Sequence, residues 1–134
     1  MKIAEVESLV VGGGQFVRIT TDSGLVGTGQ TACWGYPSAV DQVVQTFKRY
    51  LIGQDPLLIE RHWRAMFATR HTTVGGDFMF ALSRVDIALW DLLGGAAAHQ
   101  QVQADLVAAA TAEQLPDRRL EVLRLDVPEG DVHG

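Results

Sequence analysis

The stretch Ala81-Leu82-Ser83-Arg84-Val85-Asp86-Ile87-Ala88-Leu89-Trp90-Asp91-Leu92-Leu93-Gly94 decides how this chain folds. Leu82, Val85, Leu89 and Leu92, continued upstream by Phe78, recur at helical spacing and predict one apolar stripe. Ala81 and Ala88, with Phe80 just upstream, make another side apolar too. A helix so patterned must be covered on more than one side. Gly75-Gly76-Asp77 predicts its start and Gly94 its end. Asp86 and Asp91 stand about 140° apart around such a helix, so they do not converge on one metal from a single face. Arg84 and Asp91 do share a face. Structural ion pairing or a helix-end hydrogen bond is the plain reading of all three residues.

Upstream the period is different. Ile3 to Val11 alternates, with Ala4, Val6, Ser8 and Val10 on one face and Glu5 and Glu7 on the other. Gly12-Gly13-Gly14 interrupts it. Gln15 to Thr21 follows, its Val17 and Ile19 set only in part against Gln15 and Arg18, and after Asp22-Ser23-Gly24 a third strand runs from Val26 to Ala32. Connections this short permit antiparallel neighbours and no parallel crossover. Ser38-Ala39-Val40-Asp41 reads as a capping box opening a first helix, with Val40, Val43, Val44, Phe47 and Leu51 on one face and Gly53 ending it. Asp55-Pro56 predicts the next helix start, with Ile59, Trp63, Met66 and Phe67 as its stripe. The expected fold class is α+β: a three-stranded antiparallel meander followed by a bundle of three helices.

Composition breaks after this region. All ten aromatic residues lie at or before Trp90. Residues 96–134 carry three basic and seven acidic side chains, against eight and nine in 1–95. Alanine runs at Ala96-Ala97-Ala98 and Ala108-Ala109-Ala110 predict a helix from Ala96 to Gln114, and Leu120 to Val127 predicts a strand. Without aromatics the segment is poorly equipped to build its own core. The expected organisation is a domain at 1–95 and an atypical Ala/Gln-rich, acidic tail at 96–134. The formal charge of −5 argues against nucleic acid as partner, and no apolar run is long enough to span a membrane. The acidic N-terminus does not read as a signal peptide, and the single cysteine, Cys33, excludes an internal disulfide framework, so a cytoplasmic setting is expected.

Few motifs invite chemistry. Gly27-Thr28-Gly29-Gln30-Thr31-Ala32 matches a G-x-G-x-x-A dinucleotide fingerprint, which works only where the glycines open a helix. Pro37 follows too soon for that, and glycines in an edge strand or bulge explain the pattern better. Gly12-Gly13-Gly14 lacks the following Lys-Ser or Lys-Thr of a P-loop and reads as a strand connection. His62, His71, His99 and His133 are scattered, so no metal site is expected, and Cys33 has no evident base partner.

The Ala81–Gly94 string resembles the last helix of the N-terminal capping domain of the mandelate racemase/muconate lactonizing enzyme family, within the enolase superfamily. Phe16 to Gln30 is similar to that family's second and third strands. Leu51-Ile52-Gly53-Gln54-Asp55-Pro56 resembles its inter-helix connection, and Ile59-Glu60-Arg61-His62-Trp63 its second helix. Gln30 stands where the family often has Glu. The resemblance implies a cap that closes over a (β/α)-barrel, where a Lys or His base and Mg2+ perform proton abstraction next to a carboxylate. Such a barrel takes about 250 residues, and no Lys follows Lys48 to supply the family's K-x-K base.

The expectation is therefore a truncated cap of an acid-sugar dehydratase-like or racemase-like enzyme, inactive alone. It contains no catalytic residue and binds no metal itself, Mg2+ being implied only for the complete parent. Its partner would be a missing or separately supplied barrel, with self-association as a second expectation because the last helix is apolar on several sides. Trp34 and Tyr36, after the third strand, are the candidate pocket-wall residues. The alternatives are a non-catalytic protein-interaction module and, resting only on Gly27 to Ala32, a small dinucleotide-dependent oxidoreductase.

Overall fold

The computed structural model describes residues 1–11, 14–31, 36–69 and 75–114. They form β1 (Ile3–Val11), β2 (Gly14–Thr21), β3 (Val26–Thr31), α1 (Pro37–Leu51), α2 (Ile59–Ala68) and α3 (Gly76–Gln114). The sheet order is β1-β2-β3, antiparallel throughout, so the α+β meander-then-helices arrangement is the one observed. The chain divides into two units, Met1–His99 and Gln100–Gly134. In the first, a single core joins Ile3 and Val6 of β1, Val17 and Ile19 of β2, one face of α1 (Val40, Val44, Phe47, Leu51), Ile59 and Met66 of α2, and Ala81 to Leu92 of α3. Phe47 and Phe78 meet edge-to-face at 5.6 Å, joining α1 to the start of α3.

Several local expectations are corrected. In β1 the pairing register shifts between Ile3 and Glu5, which leaves Ala4 without a place in the ladder. The alternation is broken there: Ile3 and Val6 are buried, while Ala4 and Val10 are exposed. In β2, Gln15 shares the buried face with Val17 and Ile19. On the outer face Glu7 and Arg18 are cross-strand partners joined at 2.7 Å. Helix α1 begins at Pro37 with Tyr36 as N-cap and no side-chain cap bond. Proline at the first helical position supplies the helical φ, so Ser38 lies inside the helix and forms no capping box. Asp55-Pro56 is not the start of α2 either. Asp55 Oδ1 accepts the Leu57 amide at 3.0 Å and makes a turn, and the helix opens only at Ile59.

Gly53 ends α1 as expected, with φ +80°. Its N–H donates to the Ile3 carbonyl at 2.8 Å, and the Ile3 N–H donates to the Gln54 carbonyl at 2.9 Å. The connection after α1 thus covers the first edge groups of β1. His62 of α2 is buried behind it. Its Nε2 donates to the Asp55 carbonyl at 2.6 Å, and its Nδ1 shares a hydrogen bond of 3.1 Å with the Tyr50 hydroxyl.

Two departures bear on function. Helix α3 does not stop at Gly94 but runs through Gly95 to Gln114. Neither glycine has the positive φ of a helix-terminating residue, and the alanines that follow are strong helix formers. The expected helix over 96–114 is thereby the continuation of α3, and no break in secondary structure marks residue 95. The expected strand at Leu120–Val127 lies outside the described residues.

The second departure concerns the G-x-G-x-x-A match. Gly27 and Gly29 lie within β3 and open no helix, which removes the dinucleotide reading. Their bare Cα atoms face α3. A Cβ on Gly27 would strike the Ala88 carbonyl oxygen and lie 2.7 Å from Leu92 Cβ, and one on Gly29 would strike the Arg84 carbonyl oxygen and lie 2.8 Å from the Ala88 nitrogen. The glycines exist to admit a helix backbone. Gly29→Ala is expected to cost about 3 kcal/mol of stability, because rigid backbone must move. Gly94→Ala, where a Cβ meets nothing within 4 Å, is expected to add up to about 1 kcal/mol through helix propensity. Paired urea denaturation curves check both, and equal effects of the two substitutions would refute the packing role of Gly29.

Candidate functional site

The residues singled out for a pocket lie between β3 and α1. Tyr36 is 73% exposed at the N-cap of α1, where its carbonyl accepts the Ala39 and Val40 amides at 3.0 and 3.3 Å. The backbone is thus anchored while the ring stands in solvent, a side chain free to meet another molecule. Trp34 and Cys33 lie outside the described residues, as do Gly12 and Gly13 of the first connection.

At the same end of the sheet is a polar cluster that sequence reading missed. Arg84 is completely buried. Its Nη1 donates to Gln15 Oε1 at 2.8 Å and its Nε to Thr31 Oγ1 at 3.3 Å, while the Thr31 hydroxyl donates to the Phe80 carbonyl at 3.1 Å. Gln15 Nε2 is buried with no hydrogen-bond partner among the described residues. The signal was present in the sequence: Arg84 falls between Ala81 and Ala88, on the side already expected to be covered. The shared helix face alone suggests structural ion pairing or a helix-end hydrogen bond for Arg84 and Asp91. The two residues do separate jobs, since Asp91 Oδ2 accepts the Thr28 amide of β3 at 2.8 Å. That bond occupies an outward amide of the edge strand. Asp86, partly buried on α3, has its carboxyl pushed above the ordinary value by loss of hydration.

Among the described residues no three His, Cys, Asp or Glu side chains come together in a group able to hold a metal ion. They do not fit the Mg2+ that the family resemblance implies. His62 is engaged as a core residue. His71 and His133 lie outside the described residues. No described helix is long and apolar enough to cross a membrane. On α3, Trp90 is 58% and Ile87 44% exposed, large apolar groups left uncovered beside a well-filled core.

Comparison with known proteins decides the family. The sequence profile described as "Mandelate racemase / muconate lactonizing enzyme, N-terminal domain" matches residues 8–107. The chain belongs to this family. The match passes through Gly94 and Gly95 into the alanine-rich part of α3. Among curated relatives, this N-terminal domain is 43% identical over 81 residues to a D-galactonate dehydratase of Verminephrobacter eiseniae (strain EF01-2). It is 38% identical over 81 residues to a D-galactonate dehydratase of Klebsiella pneumoniae (strain 342). Each alignment covers 60% of this chain and 21% of the relative. The mandelate racemase-type chain therefore spans about a fifth of the length of the curated relatives it matches.

Solved structures agree on the fold. An enolase-superfamily member from Salmonella Typhimurium superposes with TM-score 0.66 at 34% identity, over 71% of this chain and 26% of its own. The 3,6-anhydro-D-galactonate cycloisomerase from Zobellia galactanivorans gives TM-score 0.66 at 26% identity, over 72% of this chain and 29% of its own.

The partly buried carboxyl of Asp86 sets a pH dependence whose sign follows from linkage. With its folded value raised, the native state holds the proton over a window in which the unfolded chain has lost it. Stability is therefore greatest below the ordinary carboxylate range and falls as pH rises through the raised value. Asp86→Asn removes the ionising group. The variant is expected to melt at a higher temperature than the parent at neutral pH, with the gap closing as pH is lowered below the carboxylate range. A gap independent of pH would show that burial of the Asp86 charge is not its origin.

Proposed function

We propose that this chain works as the substrate-capping part of an acid-sugar dehydratase-type enzyme and turns over no substrate by itself. The observation that carries this reading is the family match over residues 8–107, together with two D-galactonate dehydratases as relatives over only a fifth of their length. Enolisation next to a carboxylate needs a positioned base and a means of stabilising the anion. Among the described residues no group of three or more His, Cys, Asp or Glu side chains is placed to hold a metal ion for the second task. In this proposal both come from a barrel, and D-galactonate or a related acid sugar is the substrate class. The cap contributes its two sheet-end connections as pocket wall, with Trp34 and Tyr36 as the residues that meet substrate. A cytoplasmic setting accords with such metabolism.

The exposed Ile87 and Trp90 support the barrel as the partner that covers this side of α3. They also support the second reading, a protein-interaction role that includes self-association. At about 25 cal/mol per Å2, covering a few hundred Å2 favours association by several kcal/mol before entropic costs.

The test is complementation. The purified chain is expected to show no dehydration of D-galactonate with or without Mg2+, and turnover is expected when a separately expressed dehydratase barrel is added. In the reconstituted enzyme Tyr36→Ala is expected to raise KM or alter substrate preference by roughly tenfold, with melting temperature little changed. Turnover by the chain alone that disappears on mutation of one of its own residues would overturn the proposal. Sedimentation velocity at high micromolar concentration decides the second reading: a concentration-dependent larger species supports it, and a strictly monomeric profile removes self-association.

A further inference from the structure

Arg84 is the largest fully buried side chain among the described residues, and it carries a charge. Burying a guanidinium is costly, and a well-packed apolar side chain of similar volume often leaves a fold as stable or more so. The helix–sheet packing therefore does not require a cation at this position. Its partners among the described residues suggest what the cation does. Gln15 and Thr31 are directly opposite each other on β2 and β3. Gln15 is the second residue of β2 and Thr31 the last of β3, so these are the points at which the chain enters the sheet after the first connection and leaves it before α1. Thr31 in turn donates its hydroxyl to the Phe80 carbonyl, one turn before Arg84 on α3. One side chain thus binds both strand ends to one turn of one helix. The close approach at Gly29 brings the Arg84 backbone against β3 and makes that reach feasible.

We infer that Arg84 is a positioning residue that holds the roots of both sheet-end connections in one placement relative to each other and to α3. Its importance for specificity rests on the capping reading above, in which those two connections face substrate. A planar guanidinium suits the task because its Nε and Nη1 donate in fixed directions to two acceptors at once. Neither a lone ammonium nor an apolar side chain can do this.

The experiment is hydrogen-exchange mass spectrometry on the full chain, comparing the parent with Arg84→Met and with Val85→Ala. The second variant weakens the neighbouring core without touching the cluster. Arg84→Met is expected to speed exchange of amides in 9–16 and in 28–40 together, by roughly tenfold or more, the loss that follows removal of a charge-assisted bond. Peptides of α2 are expected to be unchanged, and Arg84→Lys is expected to recover only part of the protection. A pattern indistinguishable from that of Val85→Ala at equal loss of melting temperature would reduce Arg84 to a structural residue and overturn the inference. If Arg84→Met does not fold, Gln15→Leu and Thr31→Val carry the test. Each is expected to speed exchange at both roots, and acceleration confined to the substituted strand overturns the inference. Exchange is read without barrel or substrate, so its outcome and that of the complementation experiment are independent.

Discussion

The approach of a helix backbone to an edge strand is the constraint on which the remaining structure depends. Side chains on alternate residues of a strand face the same side, so glycine at 27 and 29 clears a strip of β3 along its inner face. α3 lies in that strip, with the Arg84 carbonyl against Gly29 and the Ala88 carbonyl against Gly27. Ordinary helix-on-sheet packing puts a layer of side chains between the two backbones. Its absence here brings polar groups of the helix within direct reach of the strand. Asp91 can take the Thr28 amide only because of it. The edge strand, otherwise a row of open hydrogen-bonding groups, is partly closed by the protein's own helix.

The same proximity explains why a cation is tolerated in the interior. Arg84 starts from a backbone already pressed against β3, so its guanidinium extends along the strand to its end and meets Gln15 and Thr31 there. Its charge-assisted bonds offset part of the cost of removing it from water. At the opposite edge of the sheet β1 is held by a different device. The positive-φ turn at Gly53 delivers backbone groups to Ile3, and His62 and Tyr50 brace the segment behind it. The two edges are thus partly covered, one by a side of α3 and the other by the inter-helix connection.

Residues that meet other molecules are commonly carried on segments supported by rigid elements. Tyr36 illustrates the division of labour, with a backbone locked into the first turn of α1 and a ring in solvent. The exposed Trp90 and Ile87 belong to the helix whose other sides are the most thoroughly buried in the domain. A single apolar helix here serves both the sheet and the neighbouring helices.

The sequence by itself determined the α+β class, the three strands to within a residue or two and the stripes of all three helices. These depend on local periodicity and on turn chemistry, which are written residue by residue. It misjudged the starts of α1 and α2, where proline and an aspartate turn competed with the expected caps. It also misjudged the end of α3, because a glycine stops a helix only when its backbone turns left-handed, and nothing local decides that. What only the tertiary structure decided is how side chains distant in sequence are used. Gly27 and Gly29 are packing residues because α3, some sixty positions later, needs the space. Gln15 is buried because Arg84 requires an acceptor, and Asp91 serves a strand amide and not the arginine that shares its helix face. Periodicity shows that a face is covered, but the identity of the covering groups depends on how helix and sheet come together in three dimensions.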